Sequence, residues 1–403
     1  MIWFEIKKIF SKSVNKAALL IMAVILIAVC LLTFNSVYCT AEDGSHLSGI
    51  AAARKLREMK APWSGDLTEN VFAKAIQKNI EIRNSREAMS DDITEQNQAY
   101  ARKQEFYDIW EFLNDVFSPY RDYQSFIADS LTPEDAAQVY EKRISNFKEF
   151  LDFGEEHFSE NEKDFLTGQY EALETPFYYE PMEGWAALFP KVSTFILLLA
   201  LVIGFFVSGI FSDEFQLKAD SIFFSARLGR NRAIFSKIIA GFLVTTVLYA
   251  VFVLFYTVIV LALLGAGGGG CPIQFEFSRC IYNITNLQAY LLILAGGYIG
   301  TLFAMTVTMI ISAKTHSTVL AASIPFLILC TFPFLSRIIP LPEFCSLLPD
   351  RLMDVYNALR DFSLYEAGGK VLEVLMILFP LYLLAYVVLQ PLLYAVYKRA
   401  EVK

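Results

Sequence analysis

The sequence predicts an all-α polytopic membrane protein with six transmembrane helices and a helical extracellular domain between the first and second helices. Six stretches contain no charged residue, and each is long enough to carry an α-helix across a bilayer, which takes about 20 residues. Inside the membrane every backbone polar group must be satisfied, so only helices and closed barrels can cross it. Barrel strands alternate apolar and polar residues, and these long apolar runs do not, so they indicate helices. The uncharged stretches are 17–41, 192–212, 238–275, 280–313, 315–336 and 374–397.

The distribution of charge agrees with this fold class. The chain is 55% hydrophobic and 19% charged, and ordinary soluble domains carry more charge. Residues 40–185 hold 30 Asp and Glu against 15 Lys and Arg, whereas the rest of the chain has a net charge of +7. We therefore expect the acidic segment and the basic loops to lie in different compartments.

The basic residues of the short loops predict the orientation, because positive loops tend to stay cytoplasmic. With both termini in the cytoplasm of a multi-pass cell-membrane protein, the cytoplasmic segments hold Lys7, Lys8, Lys12, Lys16, Lys218, Arg227, Arg230, Arg232, Lys237, Lys314, Lys398, Arg399 and Lys403. The outer loops then hold Lys191, Arg279, Arg337, Arg351, Arg360 and Lys370. The acidic segment is exempt from this count because long segments translocate regardless of charge.

These observations give the predicted domain boundaries. Residues 1–16 form a cytoplasmic interfacial segment, 17–39 the first transmembrane helix and 40–188 the extracellular helical domain. Helices 2–6 occupy residues 189–397, at about 190–212, 238–264, 288–312, 316–337 and 373–397, with a cytoplasmic loop at 213–237 and a tail at 398–403. The first stretch also fits a cleaved signal peptide, but its long apolar core and the poor cleavage site at 35–41 favour retention.

The N-terminal segment places Ile2, Ile6 and Ile9 at helical spacing, so it can lie flat in the inner interface with its lysines at the headgroups. An unstructured basic tail is the alternative.

In the acidic domain, Thr132 with Pro133 marks a helix start, and Ser159 with Glu162 forms a capping box. We expect the domain to be helical throughout, with two apolar stripes as its core: Phe106, Trp110, Leu113 and Phe117, and Ala137, Tyr140, Ile144, Phe147 and Leu151.

The outer loops carry glycines, cysteines and a short apolar pattern. Residues 265–272 predict a flexible loop, and Cys271 and Cys280 on the same side could form a disulfide. Cys30 and Cys330 are expected to pack in the membrane, and Cys39 and Cys345 have no deducible partner. Gly296 and Gly300 form a pair that lets the fourth span pack closely. The last loop predicts a short helix that caps the bundle, with its apolar face formed by Leu352, Val355, Leu359 and Phe362.

What the spans and loops lack ranks a secondary transporter, and a membrane enzyme after it, behind the other functions considered. No Asp, Glu, Lys or Arg falls within the six stretches, although ion-coupled transporters and voltage sensors need such groups in the membrane. The histidines are His46, His157 and His316, and no Cys/His cluster has metal-ligand spacing. With no nucleophile motif either, we predict no catalytic, cofactor-binding or metal-binding residues in this chain.

The cytoplasmic segment 211–237 is the most informative part of the sequence. It is too long for a tight turn, and Phe215, Leu217, Ile222 and Leu228 would give a short helix across the inner face an apolar surface for a partner. The segment has an acidic residue at the end of the second span, a stretch of small and basic residues, and a lysine at the start of the third span. This pattern resembles the coupling loop of ABC exporter permeases of the type-2 class. The residues that carry this resemblance are Glu214, Lys218, Ser225, Arg227, Gly229, Arg230 and Lys237. Contact of the arginines with anionic lipid is the alternative interpretation.

The resemblance covers about 250 residues of the membrane portion and leaves the acidic domain unmatched. It implies a permease subunit that works as a homodimer or heterodimer, and two separate ATPase subunits that bind ATP and Mg on the cytoplasmic side. This chain has no Gly-x-x-x-x-Gly-Lys-Ser/Thr sequence, so hydrolysis is expected in the partner. The cargo could be a peptide or antibiotic, a lipid, a drug or a cation, and no nucleic acid is expected. The alternative function is a membrane sensor or scaffold whose extracellular domain binds an external ligand without transport.

Overall fold

A computed structural model describes residues 1–154, 157–225, 229–335, 338–339 and 343–400, with the backbone alone at 229–230, 332–334, 343 and 367. The chain is 74% helical. Its α-helices are α1 (Ile2–Ser11), α2 (Ser13–Phe34), α3 (Gly49–Lys60), α4 (Glu69–Arg83), α5 (Ile93–Lys103), α6 (Tyr107–Phe117), α7 (Val139–Phe153), α8 (Glu160–Glu171), α9 (Glu183–Gln216), α10 (Asp220–Ser225), α11 (Ile234–Leu264), α12 (Asn286–Thr315), α13 (Thr318–Leu335), α14 (Pro349–Met353), α15 (Val355–Ala358) and α16 (Val374–Lys398).

Short 3-10 turns and strands connect these helices. The 3-10 turns are Ala61–Trp63, Gln104–Phe106, Ile127–Asp129, Pro133–Gln138, Ile273–Phe275 and Glu343–Leu347, and a π turn spans Gly229–Ala233. The described residues form three two-stranded antiparallel sheets. Their strands are β1 (Tyr38–Thr40) with β2 (His46–Ser48), β3 (Gly65–Asp66) with β4 (Tyr178–Tyr179), and β5 (Leu364–Ala367) with β6 (Lys370–Glu373).

Among the described residues, five helices are long and apolar enough to cross a membrane: α2, α9, α11, α12 and α16. The multi-pass class predicted from the sequence is thereby confirmed. The fifth predicted span is α13, an 18-residue helix, whose part Thr318–Thr331 forms a shorter apolar helix. Helix α9 extends beyond the predicted 190–212 at both ends, so residues 213–216 belong to a helix and not to a loop.

Helices α9 and α12 form the centre of the bundle. In the most apolar window of each helix, 61% of the residues of α9 are buried against 22% of those of α16. A Cβ atom at Gly297 of α12 would lie 2.7 Å from Ile196 of α9, so this glycine permits the close approach of the two helices. The remaining spans pack around this pair.

The segment formed by α14 and α15 enters the bundle instead of only capping it. Gly300 lies 14 residues along α12 from Asn286, about 21 Å at 1.5 Å per residue, and a Cβ atom there would lie 2.6 Å from Met353. At Gly296 the corresponding neighbour is Val355 at 2.5 Å. The predicted glycine pair therefore packs against this segment. Of the predicted apolar face, Leu352, Val355 and Leu359 are buried as expected, although the helix is interrupted at Asp354. Phe362 is half-buried and packs against the core of the inserted domain instead.

We call residues 38–182, between α2 and α9, the inserted domain. Its part from Trp63 to Tyr179 has a core separate from that of the bundle, which Ile281 and Leu364 join, whereas the buried apolar residues of β1 and α3 pack in the bundle core. The predicted stripe Phe106 to Phe117 is buried in that separate core, and the predicted capping box at Ser159 is present. Thr132, predicted as a helix start, forms a capping box with Asp135 at the start of a 3-10 turn. The domain is not helical throughout, because β1–β2 and β3–β4 close its ends. After the 3-10 turn that follows Thr132, the helix begins at Val139, so Ala137 is exposed and Ala136 is buried instead.

The glycine-rich loop after α11 is bound to its surroundings at several points, which corrects the expectation of a flexible loop. Gly268 N donates to Glu180 Oε1 at 2.7 Å, and Gly268 O accepts from Asn286 Nδ2 at 2.9 Å. Trp185 Nε1 donates to Ala266 O at 3.1 Å. Gly268 has φ +84°, and a Cβ atom there would lie 2.2 Å from Met182 Cβ. The loop therefore needs glycine for a tight contact with the start of α9.

The predicted disulfide is absent from this loop, since Cys271 and Cys280 are both free thiols. Cys271 Sγ accepts a hydrogen bond from Glu180 N at 3.2 Å, and Cys280 packs in the core of the bundle. Burial raises the pKa of each thiol to about 12. Neither cysteine is therefore poised for thiolate chemistry.

We predict that Gly268→Ala destabilises the protein and that Gly270→Ala does not. An L side chain at the positive φ of Gly268 costs about 1–2 kcal/mol, and its Cβ would also overlap Met182. At Gly270 a Cβ atom would have no neighbour within 4 Å, and the backbone there has no positive φ. Thermal unfolding of both variants in the same detergent checks this, and equal melting temperatures would contradict it.

Candidate functional site

The end of the bundle that carries both chain termini brings together α1, the last turn of α9, α10, the first turn of α11 and the last turn of α16. We call it the terminal end, and the opposite end, which contacts the inserted domain, the domain end. Helix α9 continues to Gln216, and the chain then turns at Lys218, whose φ is +55°. The sequence-predicted coupling residues that the structure describes belong to this end.

Helix α1 docks against the bundle through its apolar face. Ile9 is buried, and Ile2 and Ile6 pack on the bundle core, whereas Trp3 and Phe4 point outward. The helix ends at Ser11, and Asn15 Nδ2 donates to Ile9 O at 2.8 Å across the corner into α2. The predicted amphipathic helix is confirmed, and the alternative of an unstructured tail is wrong.

Four charged side chains from three helices meet beneath α1, and we call them the ionic joint: Glu5, Lys8, Glu214 and Lys237. Lys237 Nζ lies 2.8 Å from Glu214 Oε1 and 3.1 Å from Glu5 Oε2. It also donates to Ile210 O at 3.1 Å. Lys8 Nζ lies 2.7 Å from the same Glu214 oxygen. The joint thus links α1, α9 and α11 with two positive and two negative charges.

The joint is nearly closed to solvent. The Lys237 side chain is 0% exposed and that of Glu214 is 11% exposed. Removing two such ions from water is costly, so a buried pair fixes how elements dock more than it adds stability. A second ion pair, between Lys12 and Asp213, lies beside it. Gly209 leaves the space for this pair, because a Cβ there would lie 2.5 Å from Lys12 Nζ.

Aromatic rings connect α10 to this joint. The Phe223 ring lies 5.4 Å from Lys237 Nζ, and the ring centroids of Phe224 and Tyr397 are 5.3 Å apart. Tyr397 is fully buried. Phe215 stacks on His316, at the turn between α12 and α13, with centroids 3.5 Å apart. The inner face of α10 therefore touches groups that come from α9, α11 and α16.

The outer face of the same segment is apolar and open. Leu217 is 70% and Ile222 is 74% exposed, and both lie at the tip of the terminal end. The sequence predicted that these two side chains would be available to a partner. Lys218 and Ser225 are exposed beside them.

The structure brings Glu214 and Lys237 into direct contact and leaves Lys218 and Ser225 on the outer face. Arg227 and Leu228 lie outside the described residues, and Gly229 and Arg230 are described by backbone alone, in the π turn before α11. Sequence reasoning missed Glu5 and assigned Lys8 to headgroups. A single acid in an otherwise basic amphipathic helix was the available signal, because it needs a cationic partner when the helix docks.

No family model, no curated protein and no solved structure matches this chain. Across the described residues, no group of three or more His, Cys, Asp or Glu side chains is placed to hold a metal ion. The ionic joint and the exposed apolar side chains beside it are the features of the molecule that bear on its function.

We predict that Lys237→Met destabilises the docking of α1 far more than Lys7→Met. Removing Lys237 leaves Glu5 and Glu214 with Lys8 as their cation, and breaking a buried pair costs about 3–5 kcal/mol. Lys7 is exposed on the same helix, so its loss should cost less than about 0.5 kcal/mol. Thermal unfolding and amide exchange of residues 2–11 measure the difference. Equal exchange rates in the two variants would rule out the docking role of the joint.

Proposed function

We propose that this chain is the membrane-spanning permease subunit of an ABC exporter of the type-2 class, powered by a separate ATPase subunit. In this proposal the terminal end is cytoplasmic, the inserted domain is extracellular, and α13 acts as a further span that brings the number to six. The cargo is a peptide or antibiotic, a lipid, a drug or a cation. The observation that carries the proposal is the apolar tip of α10, joined through buried charge to α1 and to the membrane helices α9 and α11.

A segment that transmits force must be open to a partner on one side and fixed to the moving helices on the other. Leu217 and Ile222 supply the open side. Phe223 and Lys237 supply the fixed side, since the ring contacts the ammonium that binds Glu214 and Glu5. A displacement of α10 would therefore move α9, α11 and α1 together, as a two-state rearrangement of packed helices requires.

The charge distribution supports the proposed orientation. The terminal end holds most of the basic residues of the short loops, including Lys8, Lys12 and Lys237. The inserted domain holds most of the acids and has a net charge of the opposite sign. Such a division is typical of a chain whose basic end faces the cytoplasm.

We predict that the tagged chain, purified from its native membrane in mild detergent, carries ATPase activity and a protein with a Gly-x-x-x-x-Gly-Lys-Ser/Thr sequence. Ile222→Asp should lower the recovered activity at least about tenfold, because it places a charge in the centre of an apolar contact. Ile93→Asp is the matched control. Ile93 is 73% exposed, but it lies in the inserted domain.

Activity that is absent from the wild-type preparation, or that Ile222→Asp and Ile93→Asp lower equally, would count against the exporter. If the chain moved no cargo, and ligand-dependent signalling required residues 42–185, the sensor or scaffold would replace the exporter as the proposed function.

We also predict that a membrane-impermeant maleimide labels Ser145→Cys in intact cells but labels Ser225→Cys only after permeabilisation. Both serines are exposed, so access depends on which side of the membrane each residue occupies. The unsubstituted chain, with its six cysteines, gives the background. Labelling of Ser225→Cys from outside would reverse the proposed orientation.

A further inference from the structure

We propose that the cavity between the inserted domain and the domain end of the bundle binds an organic cation in which a protonated amine is joined to an apolar body. The cavity measures about 520 Å³, and small-molecule sites commonly span about 300–1,000 Å³. Helices α3 and α6 of the inserted domain form one part of its wall, and the first turns of α9 and the turn Ile273–Phe275 form another. The inference goes beyond the proposed function, since it holds for an exporter and for a sensor.

The wall of the cavity is acidic. It contains two bases, Lys60 and Lys191, and five acids, so its net charge is −3 when every group is ionised; the acids are Asp108, Glu111, Asp115, Glu183 and Glu276. Lys60 is already engaged within the wall, because its Nζ lies 2.7 and 2.8 Å from the two Asp108 oxygens and 2.8 Å from Glu183 Oε1. Burial alone would lower the pKa of Lys60, but these two carboxylates raise it above its usual value. The excess negative charge therefore remains for a ligand.

A buried carboxylate oxygen in this wall, on Glu183, lacks a donor. The Glu183 side chain is 4% exposed, and its Oε2 is buried with no hydrogen-bond partner among the described residues. A buried acceptor that gives up water without gaining a donor costs about 1–3 kcal/mol. An ammonium group bound in the cavity would supply that donor and a matching charge.

Apolar side chains share the wall with these acids and indicate the rest of the ligand. They include Val37, Leu56, Phe112, Met182 and Phe275. In the described parts of the chain, the carboxylates are not gathered into a group of three that could hold a metal ion. Dispersed acids beside hydrocarbon fit an amine with an apolar body better than a bare divalent cation.

The charge of the cavity changes near neutral pH. Burial raises the pKa of Glu276 to about 7, although Tyr356 donates a hydrogen bond to its Oε1 at 2.6 Å. As pH rises from 6 to 8 this carboxyl loses its proton, so the wall becomes more negative and should bind a cation more tightly. The charged and titratable groups around Glu276 in its two adjoining cavities are Lys60, Asp108, Glu111, Asp115, Glu183, Lys191, Arg279, Cys280, Tyr38, Tyr356, Arg360 and Asp361.

Dansylcadaverine is a suitable probe, because it joins a primary amine through a pentyl chain to an aromatic fluorophore that brightens in apolar surroundings. We predict saturable binding to the purified chain in lipid nanodiscs, after the signal from empty nanodiscs is subtracted. The N-acetylated probe has the same body without the charge. It should bind at least about tenfold more weakly, as expected for the loss of a charge-assisted hydrogen bond.

Glu183→Gln and Glu111→Gln should each weaken binding of the amine by about tenfold. Glu111 lines the cavity with an exposed side chain and makes no hydrogen bond or ion pair with the described residues, so this variant tests the charge even if Glu183→Gln impairs folding. Glu174→Gln, an exposed glutamate of the same domain, should leave the dissociation constant unchanged. Glu276→Gln should abolish the gain in affinity between pH 6 and pH 8.

Unsaturable binding, equal binding of the two probes, or an unchanged dissociation constant in folded Glu111→Gln would overturn the proposal. The measurement contains no ATPase, so its failure leaves the exporter proposal standing. Conversely, if the chain binds the probe but recovers no ATPase, the cation-site proposal stands and the exporter proposal fails.

Discussion

The burial of one ammonium group organises the terminal end of this protein. Lys237 opens α11 with no exposed side-chain surface, and its charge is balanced by Glu214 of α9 and Glu5 of α1. An ion in that position is tolerated only when its partners are held in place. The docking of α1, the continuation of α9 past its apolar stretch and the position of α10 are therefore coupled to one another. Any force applied to α10 reaches the bundle through that coupling.

The domain end follows a different electrostatic rule. There the acids exceed the bases, a buried carboxylate oxygen lacks a donor, and a cavity of about 520 Å³ separates the inserted domain from the bundle. At the terminal end every charge of the joint has a partner within 3.1 Å. A fully paired cluster suits a mechanical link, whereas an unbalanced cavity suits a ligand. Between the two ends, α9 packs closely against α12 at Gly297.

Hydrophobic periodicity and capping residues predicted the features of the fold that depend on residues close together in the sequence. The positions of the apolar helices, the capping box at Ser159, and the buried stripe from Phe106 to Phe117 all follow from periodicity and capping chemistry. The boundary of α9 was predicted too early because Asp213 and Glu214 look like loop residues until Lys12 and Lys8 neutralise them. The sequence also selected Glu214 and Lys237 as residues of one segment, and the structure brings these two side chains into contact.

Contacts between distant segments could not be predicted in this way. Glu5 and Lys237 are 232 residues apart, and no local pattern pairs them. The entry of α14 and α15 into the bundle depends on the space left by Gly296 and Gly300. The sequence predicted close packing at these glycines but not the segment that packs there. The acidic cavity arises from segments as distant as Lys60 and Glu276, so its charge becomes visible only when the inserted domain is folded on the bundle.

A double-mutant cycle between Glu214→Gln and Lys237→Met, measured by unfolding in detergent, tests the ionic joint most directly. If the two side chains act as one buried unit, the cost of the double substitution should fall short of the sum of the single costs by at least about 1 kcal/mol. Additive costs would show that the two charges stabilise the protein independently, and the proposed link between α10 and the bundle would then lose its physical basis.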